Sequence, residues 1–259
     1  MQTVTSADGT RLAYERHGDG PPLLLLHGSS VTGRSWAPLA QSLGSSFSLV
    51  VPDRRGRGDS GDGDEYSLDR EIEDLQALAG AVDGDLQVFG HSFGGLVTLA
   101  AADTIDFHRL VLYEPAVLAD SDDDLPERMQ AALDDGRRRD AMASFYREGA
   151  GVPEPDRLPI WSDDVRFDLA ETVVRECRAV RSFDLPDRPL DAPTTLLTGE
   201  HGPAHLGDAA ETIAARTDPP RLVELDGVGH VGTLSAPERV ASAVRSALLN
   251  DAVAGPHVE

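Results

Sequence analysis

The sequence has no lysine and only one cysteine, so all 23 basic residues are arginine and an intrachain disulfide is excluded. Aromatic residues are scarce, at 5% of the chain, and no apolar run approaches the ~20 residues of a membrane-spanning helix. Residues 1–20 contain three carboxylates and lack the apolar segment of a signal peptide. These absences predict a cytoplasmic protein that does not enter a membrane.

Negative charge is in large excess. The chain carries 45 aspartate and glutamate residues against the 23 arginines, which gives a formal net charge of −22. So acidic a surface repels the phosphates of nucleic acids, and we expect no nucleic-acid partner. Two explanations of the charge are open. One is a halophilic host whose salt-rich cytoplasm screens charge repulsion over about 3 Å at 1 M salt. The other is a GC-rich genome, whose codons favour arginine over lysine.

Ser92 lies in the segment Gly90-His91-Ser92-Phe93-Gly94-Gly95, after the largely apolar run 86–89 and before the apolar run 96–101. A strand, a Gly-x-Ser-x-Gly turn and a helix in this order form a nucleophile elbow, a tight turn that lifts the serine hydroxyl clear of the backbone. Its glycines lack the Cβ atoms that would collide where strand and helix nearly touch. The positive end of the following helix points to the same place, where negative charge develops during acyl transfer. We therefore predict that Ser92 is a nucleophile.

Short apolar or alternating runs recur along the chain and alternate with helical patterns. The predicted strands are residues 10–17, 23–26, 47–51, 86–89, 109–113, 194–198 and 221–225, and the predicted helices among them are residues 67–80, 94–102, 205–216 and 236–249. Repeated strand–helix alternation predicts an α/β fold, with a parallel sheet and helices on both faces. In such sheets the functional site lies beyond the carboxyl ends of the strands.

Residues 116–190 interrupt this alternation. They contain no convincing buried strand but two helical stretches, about 125–148 and 163–182, separated by prolines. At 259 residues the chain is long enough for one large domain with such an insert. We predict a core built from residues 1–115 and 191–259 and a helical cap or lid, residues 116–190, over the strand ends.

Four motifs, each in the loop that follows a predicted strand, carry a family resemblance. They are His27-Gly28, the loop from Pro52 to Gly58, the elbow around Ser92, and Gly227-Val228-Gly229-His230. With these motifs in this order, about residues 10–250 resemble the α/β-hydrolase superfamily. The resemblance implies the fold of that family, a mostly parallel eight-stranded sheet with helices on both faces and a helical lid.

The resemblance also implies roles for individual residues. His230 is implied as the general base, and the backbone N–H groups of Ser29 and Phe93 are implied as the oxyanion hole. The loop after the third predicted strand resembles a scaffolding loop of the family. In that loop, Asp53 and Arg54 are expected to be paired structurally and not to be catalytic.

The acid of the catalytic triad is where the sequence departs from the family. The usual aspartate would stand three residues after Gly199, where this chain has Gly202. Glu114, at the end of the strand after the elbow helix, occupies a position that some relatives use, including certain lactonases and haloalkane dehalogenases. We favour Glu114 because Pro115 restricts it to an extended conformation, which suits a side chain projecting from a strand end. Glu200, in the usual loop but only one residue after the glycine, is the alternative acid.

Together these residues predict a serine hydrolase of the carboxylic ester class, which cleaves a small ester, lactone or thioester through an acyl-enzyme intermediate. A serine at the elbow disfavours epoxide hydrolases and dehalogenases, which carry an aspartate there. A C–C bond hydrolase, a cofactor-free perhydrolase, a non-hydrolytic lyase or cyclase, and a ligand-binding receptor are the alternatives. We expect no cofactor, no metal and a small-molecule substrate as the partner of a monomer or homodimer.

The side chains that shape the substrate pocket are expected in the insert. The candidates are one methionine and five aromatic residues, Met142, Phe145, Tyr146, Trp161, Phe167 and Phe183. The alternative is that these side chains form the hydrophobic core of the lid itself.

The halophilic explanation makes a prediction about stability. Screening of the repulsion among the surplus carboxylates should raise the midpoint of thermal unfolding by several degrees between about 0.1 M and about 2 M KCl. Melting curves recorded by circular dichroism in the two salt concentrations would measure the shift. Equal midpoints would leave charge repulsion without a role in the stability of the protein.

Overall fold

An eight-stranded sheet runs through the described part of the chain. The computed structural model describes residues 1–117, 124–158, 161 and 166–249. The strands are β1 (Gln2–Thr5), β2 (Arg11–His17), β3 (Pro22–Leu26), β4 (Ser48–Pro52), β5 (Gln87–His91), β6 (Arg109–Tyr113), β7 (Thr194–Gly199) and β8 (Leu222–Leu225). Their order across the sheet is β1-β2-β4-β3-β5-β6-β7-β8. β2 pairs antiparallel with both of its neighbours, β1 and β4, and the remaining five pairings are parallel, so the predicted mostly parallel eight-stranded sheet is confirmed.

The central strand β3 shows how the sequence produces a layered arrangement. Its four leucines are at most 2% exposed. Because successive side chains of a strand point to opposite faces, Leu23 and Leu25 enter one hydrophobic core and Leu24 and Leu26 enter the other. A continuous apolar run therefore marks a strand that is covered on both sides.

Helices cover both faces of the sheet. The α-helices of the described residues are α1 (Ala37–Leu43), α2 (Leu68–Gly80), α3 (Phe93–Ala101), α4 (Leu125–Asp134), α5 (Arg138–Ser144), α6 (Ala170–Arg181), α7 (Ala204–Ala214), α8 (Gly232–Ser235) and α9 (Pro237–Leu249). α1 and α9 pack against each other on the face that Leu23 enters, while α2, α3 and α7 contribute to the core on the opposite face. Within the described residues, none of the helices is both long and apolar enough to cross a bilayer.

Between β6 and β7 the described residues form helices. α4, α5 and α6 belong to this insert, together with a π-helical turn at Phe145–Gly149 directly after α5. They bury a hydrophobic core separate from the two cores at the sheet. The predicted helical stretch 125–148 is divided at Gly136, whose φ of +74° is a left-handed conformation that glycine adopts without steric cost. The domain boundaries stay a prediction, because residues 118–123, 159–160 and 162–165 lie outside the described residues.

β1, α1 and the four-residue helix α8 are elements that the sequence pattern does not predict. β1 pairs with β2 from Gln2 opposite Tyr14 to Thr5 opposite Arg11, but most of its side chains are exposed. Backbone hydrogen bonds hold it at the sheet edge, so its sequence lacks the buried alternation that identifies a strand. α1 has only seven residues, which is too short for a clear helical period.

Candidate active site

The elbow between β5 and α3 is a strained turn. Ser92 has φ +53° and ψ −120°, in a region that residues other than glycine seldom adopt. The neighbouring glycines permit a very close approach of the chain. A Cβ on Gly94 would lie 2.2 Å from the carbonyl oxygen of Leu26, and one on Gly90 would lie 2.9 Å from Cα of Gly95. Packing therefore fixes Ser92 at the start of α3, with 8% of its surface exposed.

His230, in the loop after β8, contacts the hydroxyl of Ser92, and Glu114, directly after β6, contacts His230. Nε2 of His230 lies 3.0 Å from Oγ of Ser92, and Nδ1 lies 2.6 Å from Oε2 of Glu114. The other carboxylate oxygen of Glu114 accepts a hydrogen bond from the backbone N–H of Gly199 at 2.8 Å. Glu114 is fully buried and His230 is 6% exposed. A serine, an imidazole and a buried carboxylate in this order can move the serine proton to the imidazole and stabilise the resulting cation.

Gly202 provides the space that Glu114 occupies. An ideal Cβ on Gly202 would lie only 2.0 Å from Oε1 of Glu114. The carboxylate of Glu114, the residue directly after β6, thus fills the space into which a side chain at position 202 would project. Glu200, the alternative acid, is exposed, and its Oε2 accepts a hydrogen bond from the N–H of Gly227 at 2.7 Å. Of these two glutamates, both among the described residues, Glu114 is the one that contacts His230.

The expectation of an extended Glu114 is wrong. Its φ is +42°, and the chain turns sharply here. The N–H of Glu114 donates to the carbonyl of Leu197 at 3.0 Å, and the N–H of Ala116 donates to the carbonyl of Ser92 at the same distance. Among the described residues other than glycine, only Ser30, Ser92 and Glu114 have positive φ, and all three lie in this site. Such conformations cost on the order of 1–3 kcal/mol each and persist where the surrounding structure holds them.

The predicted oxyanion donors flank the nucleophile. Phe93 is the first residue of α3, so its N–H has no acceptor within the helix and lies at the positive end of the helix dipole. The loop after β3 passes close by, since a Cβ on Gly28 would lie 3.0 Å from Cβ of Ser92. Ser29, the next residue, lines the cavity in front of Ser92. The oxyanion role of these two N–H groups stays a prediction that the arrangement allows.

Arg54 supports both predicted donors from behind. Its guanidinium lies 4.4 Å from the ring centroid of Phe93 and donates to the carbonyl of Gly28 at 3.2 Å. Arg54 is 2% exposed. Burial lowers the pKa of this guanidinium, but the carboxylates of Glu176 and Glu71 raise it by more. A permanent positive charge is therefore held directly behind the elbow.

Glu176, on α6 of the insert, is a buried partner of the loop after β4. The sequence pattern does not predict this contact. The carboxylate of Glu176 is fully buried and accepts hydrogen bonds from Arg54, at 2.5 Å, and from Arg57. Burial raises the pKa of Glu176, but the charges of Arg54 and Arg57 lower it below its ordinary value. Buried ion pairs thus join the insert to the loop after β4. A signal is present in the sequence, because Glu176 follows buried Val173 by three residues on one face of an amphipathic helix.

Asp53 and Arg54 have structural partners, as predicted, but not each other. Asp53 accepts hydrogen bonds from the backbone N–H groups of Gly33 and Asp59, both at 2.8 Å. Arg54 is paired with glutamates instead. The two residues therefore fix different parts of the same loop.

His91 packs directly on His230. Their ring centroids are 4.8 Å apart, and Nε2 of His91 donates to the backbone carbonyl of His230 at 2.9 Å. Burial, followed by the charge of His230, lowers the pKa of His91 from 6.5 to about 3. His91 is therefore neutral at physiological pH and does not oppose the positive charge that His230 acquires when it takes a proton.

In the part of the chain that the structure describes, no group of three or more His, Cys, Asp or Glu side chains is arranged to hold a metal ion. His201 is exposed, and His205 lines a cavity beside Ser92. The functional groups that converge on Ser92 are those of His230 and Glu114.

Two cavities of unequal size meet at Ser92. The smaller has a volume of about 40 Å³ and the larger a volume of about 320 Å³. Both are lined by Ser29, Ser92 and Phe145. The residues that line the smaller cavity also include Trp36, Tyr146, His230, Val231, Thr233 and Leu234. Those that line the larger cavity also include Leu125, Glu148, Cys177, Val180, His205 and Leu206.

The predicted pocket residues divide into two groups. Phe145 lines both cavities and Tyr146 lines the smaller one. Met142, Trp161, Phe167 and Phe183 line neither, and their assignment to the pocket is corrected. Phe183 packs against the core that Leu24 enters. The other three pack in the core of the insert, where Met142 is fully buried and the rings of Trp161 and Phe167 meet edge to face at 5.1 Å. The insert needs a core of its own, and this core competes with the pocket for the same apolar side chains.

Known proteins are similar to this chain in sequence and in fold. Residues 23–243 match the model of the Alpha/beta hydrolase family. The chain is 30% identical to Lipase LipV of Mycobacterium tuberculosis (strain ATCC 25618 / H37Rv), over 92% of this chain and 97% of that protein. It is 35% identical to an alpha/beta hydrolase from Sphaerobacter thermophilus DSM 20745, whose structure superposes with a TM-score of 0.83 over 95% of this chain and 99% of that one. The esterase RhEst1 from Rhodococcus sp. ECU1013, 22% identical, shares the fold with a TM-score of 0.71 over 95% and 97% of the two chains.

The low pKa of His91 predicts a pH dependence of stability. Below pH 6.5 the unfolded chain protonates this imidazole while the folded protein does not, because the folded pKa is about 3. The free energy of unfolding should therefore decrease as the pH is lowered from 6.5 toward 3, by about 1.4 kcal/mol per pH unit. From pH 6.5 to pH 5 the wild type should lose about 2 kcal/mol more than His91→Gln, which keeps an N–H donor but does not titrate. Urea unfolding at the two pH values measures this difference, and identical losses in the two proteins would contradict it.

Proposed function

We propose that this chain, which belongs to the alpha/beta hydrolase family, is a serine hydrolase that cleaves a small carboxylic ester, lactone or thioester through an acyl-enzyme intermediate. The observation that carries the proposal is the unbroken set of contacts from Oγ of Ser92, through the imidazole of His230, to the carboxylate of Glu114. A relative that is similar over nearly the whole of both chains bears the name lipase, which supports ester hydrolysis.

In the first half of the proposed reaction, Oγ of Ser92 attacks the carbonyl carbon of the substrate while Nε2 of His230 takes its proton. The new bond gives a tetrahedral intermediate, and the N–H groups of Ser29 and Phe93 bind its oxyanion. His230 then gives the proton to the leaving oxygen or sulfur. The bond from the carbonyl carbon to the leaving atom breaks, and the acyl group stays on Ser92.

In the second half, water replaces the leaving group. His230 takes a proton from the water as its oxygen attacks the acyl carbon, and then returns a proton to Oγ of Ser92 as the acyl bond breaks. The products are a carboxylic acid, an alcohol or thiol, and the enzyme in its starting state. Glu114 accepts the hydrogen bond of Nδ1 throughout, so it fixes the tautomer of His230 and stabilises the imidazolium.

In this proposal the insert acts as a lid over the active site. Phe145 and Tyr146 line the smaller cavity beside Ser92, and Glu176 is held by buried arginines of the core. These contacts support a role for residues 116–190 in enclosing the acyl-enzyme, where exclusion of water strengthens the electrostatic contacts of the site.

Two matched substitutions test the role of Glu114. Glu114→Gln keeps the size of the side chain but loses the charge and the tautomer control, so kcat for ethyl butanoate should fall on the order of 10⁴-fold. Glu200→Gln removes an exposed carboxylate and should leave kcat nearly unchanged. The rates are measured by pH-stat titration, with thermal unfolding of both variants as the control for folding. A large loss in Glu200→Gln, or little loss in Glu114→Gln, would contradict the assignment.

A double substitution tests the same role through a recovery of activity, which misfolding cannot produce. Glu114→Ala opens the space next to Gly202, and Gly202→Asp in the same chain places a carboxylate at the edge of that space. The double variant should recover part of the kcat that Glu114→Ala loses. Gly202→Asp alone should instead impair the enzyme, because its Cβ would collide with the carboxylate of Glu114.

A further inference from the structure

The two cavities at Ser92 suggest which half of a substrate lies where. We propose that the enzyme acts on esters of a one- to three-carbon alcohol, whose alcohol half occupies the smaller cavity and whose uncharged, apolar acyl chain occupies the larger one. This inference rests on the proposed function and adds the substrate class to it.

The assignment follows from the path of the proton. His230 gives its proton to the leaving oxygen, which must therefore lie within hydrogen-bond distance of Nε2. His230 lines the smaller cavity, and it is not among the described residues that line the larger one. The alcohol half is thus beside His230, and the acyl group, bonded to Ser92, extends into the larger cavity.

The smaller cavity limits the size of the alcohol. Its volume of about 40 Å³ is about one eighth of the volume of the larger cavity, about 320 Å³, so the smaller half of the ester fits there. We assign this half to an alcohol of one to three carbons. A butyl or benzyl group would have to displace the walls of the cavity.

Those walls are held in place by the core and by the insert. The hydroxyl of Tyr146 lies 3.1 Å from Oγ of Ser30, a hydrogen bond that joins the insert to the loop after β3. Trp36 is 1% exposed and packs against Phe89 with the ring centroids 5.3 Å apart. Neither aromatic side chain can move aside without losing these contacts, so the size limit is built into the packing.

The larger cavity suits an uncharged acyl chain. Leu125, Val180 and Leu206 contribute apolar side chains to it, and its volume of about 320 Å³ falls in the range of roughly 300–1,000 Å³ that is usual for ligand pockets. Its carboxylate, Glu148, is paired with Arg128 at 2.9 Å. The described residues that line it include no arginine, so a negatively charged acyl group would find no permanent cation there.

Two ester series measured on the full chain test the assignment. In the first series the acid is hexanoate and the alcohol is methanol, ethanol, butan-1-ol or benzyl alcohol. In the second series the alcohol is methanol and the acid runs from acetate to octanoate. In pH-stat titrations kcat/KM should fall at least ~10-fold from the ethyl to the butyl ester, and should rise ~10-fold or more from acetate to hexanoate, since one methylene changes a rate roughly 10–200-fold in a hydrophobic pocket.

Two truncations of partly buried side chains locate the effects. Leu234→Ala enlarges the smaller cavity and should raise the ratio of kcat/KM for butyl over methyl hexanoate by about 10-fold, with the ranking of acyl chains unchanged. Val180→Ala enlarges the larger cavity and should shift the preferred acyl chain to a greater length, with the ranking of alcohols unchanged. Thermal unfolding confirms that each variant is folded.

The outcomes separate this inference from the proposed function. A preference for butyl or benzyl esters, or an alcohol ranking that Val180→Ala changes and Leu234→Ala does not, would overturn the cavity assignment and leave a serine hydrolase. Failure of the folded wild type to hydrolyse any ester of either series would overturn this inference, and failure to hydrolyse lactones and thioesters as well would overturn the proposed function.

Discussion

The hydrogen bond between Glu114 and His230 is the contact on which the rest of the site depends. It joins a strand end to a loop 116 positions later in the chain, at 2.6 Å and away from solvent. A buried carboxylate is costly unless it has partners, and several features meet that need. Gly199 donates its N–H to Glu114, Gly202 leaves room for the carboxylate, and a left-handed turn aims the side chain inwards.

Short sequence patterns predict the strands and the turn at Ser92, because interactions between residues close in sequence determine these features. Consecutive leucines mark a strand buried on both faces, and the glycines around Ser92 mark a turn at which two backbones touch. Glu114 contacts His230 as predicted, but in a left-handed conformation, because the chain turns back over the elbow through long-range hydrogen bonds that Pro115 does not reveal. Glu176 was missed because its arginine partners lie more than a hundred positions away. The pocket aromatics were partly misassigned because periodicity does not distinguish a lid core from a cavity wall.

Charge acts differently at the surface and in the interior. The loop after β4 carries Arg54, Arg55 and Arg57, each at most 3% exposed and paired with carboxylates from α2 or α6. Loss of one partner from such a buried pair costs about 3–5 kcal/mol. Through Arg54 these pairs brace the residues on both sides of Ser92, so they bear on the geometry of the site. The net charge of −22 bears on solubility and on the response to salt.

The proposed chemistry requires that His230 make the hydroxyl of Ser92 nucleophilic. The most direct measurement is the intact mass of the protein after reaction with a small fluorophosphonate, followed by mapping of the modified peptide. We predict a single phosphonyl group on each chain, bonded to Oγ of Ser92, and almost no modification of a folded His230→Ala variant. Modification at a different residue, or equally fast labelling of His230→Ala, would contradict this mechanism.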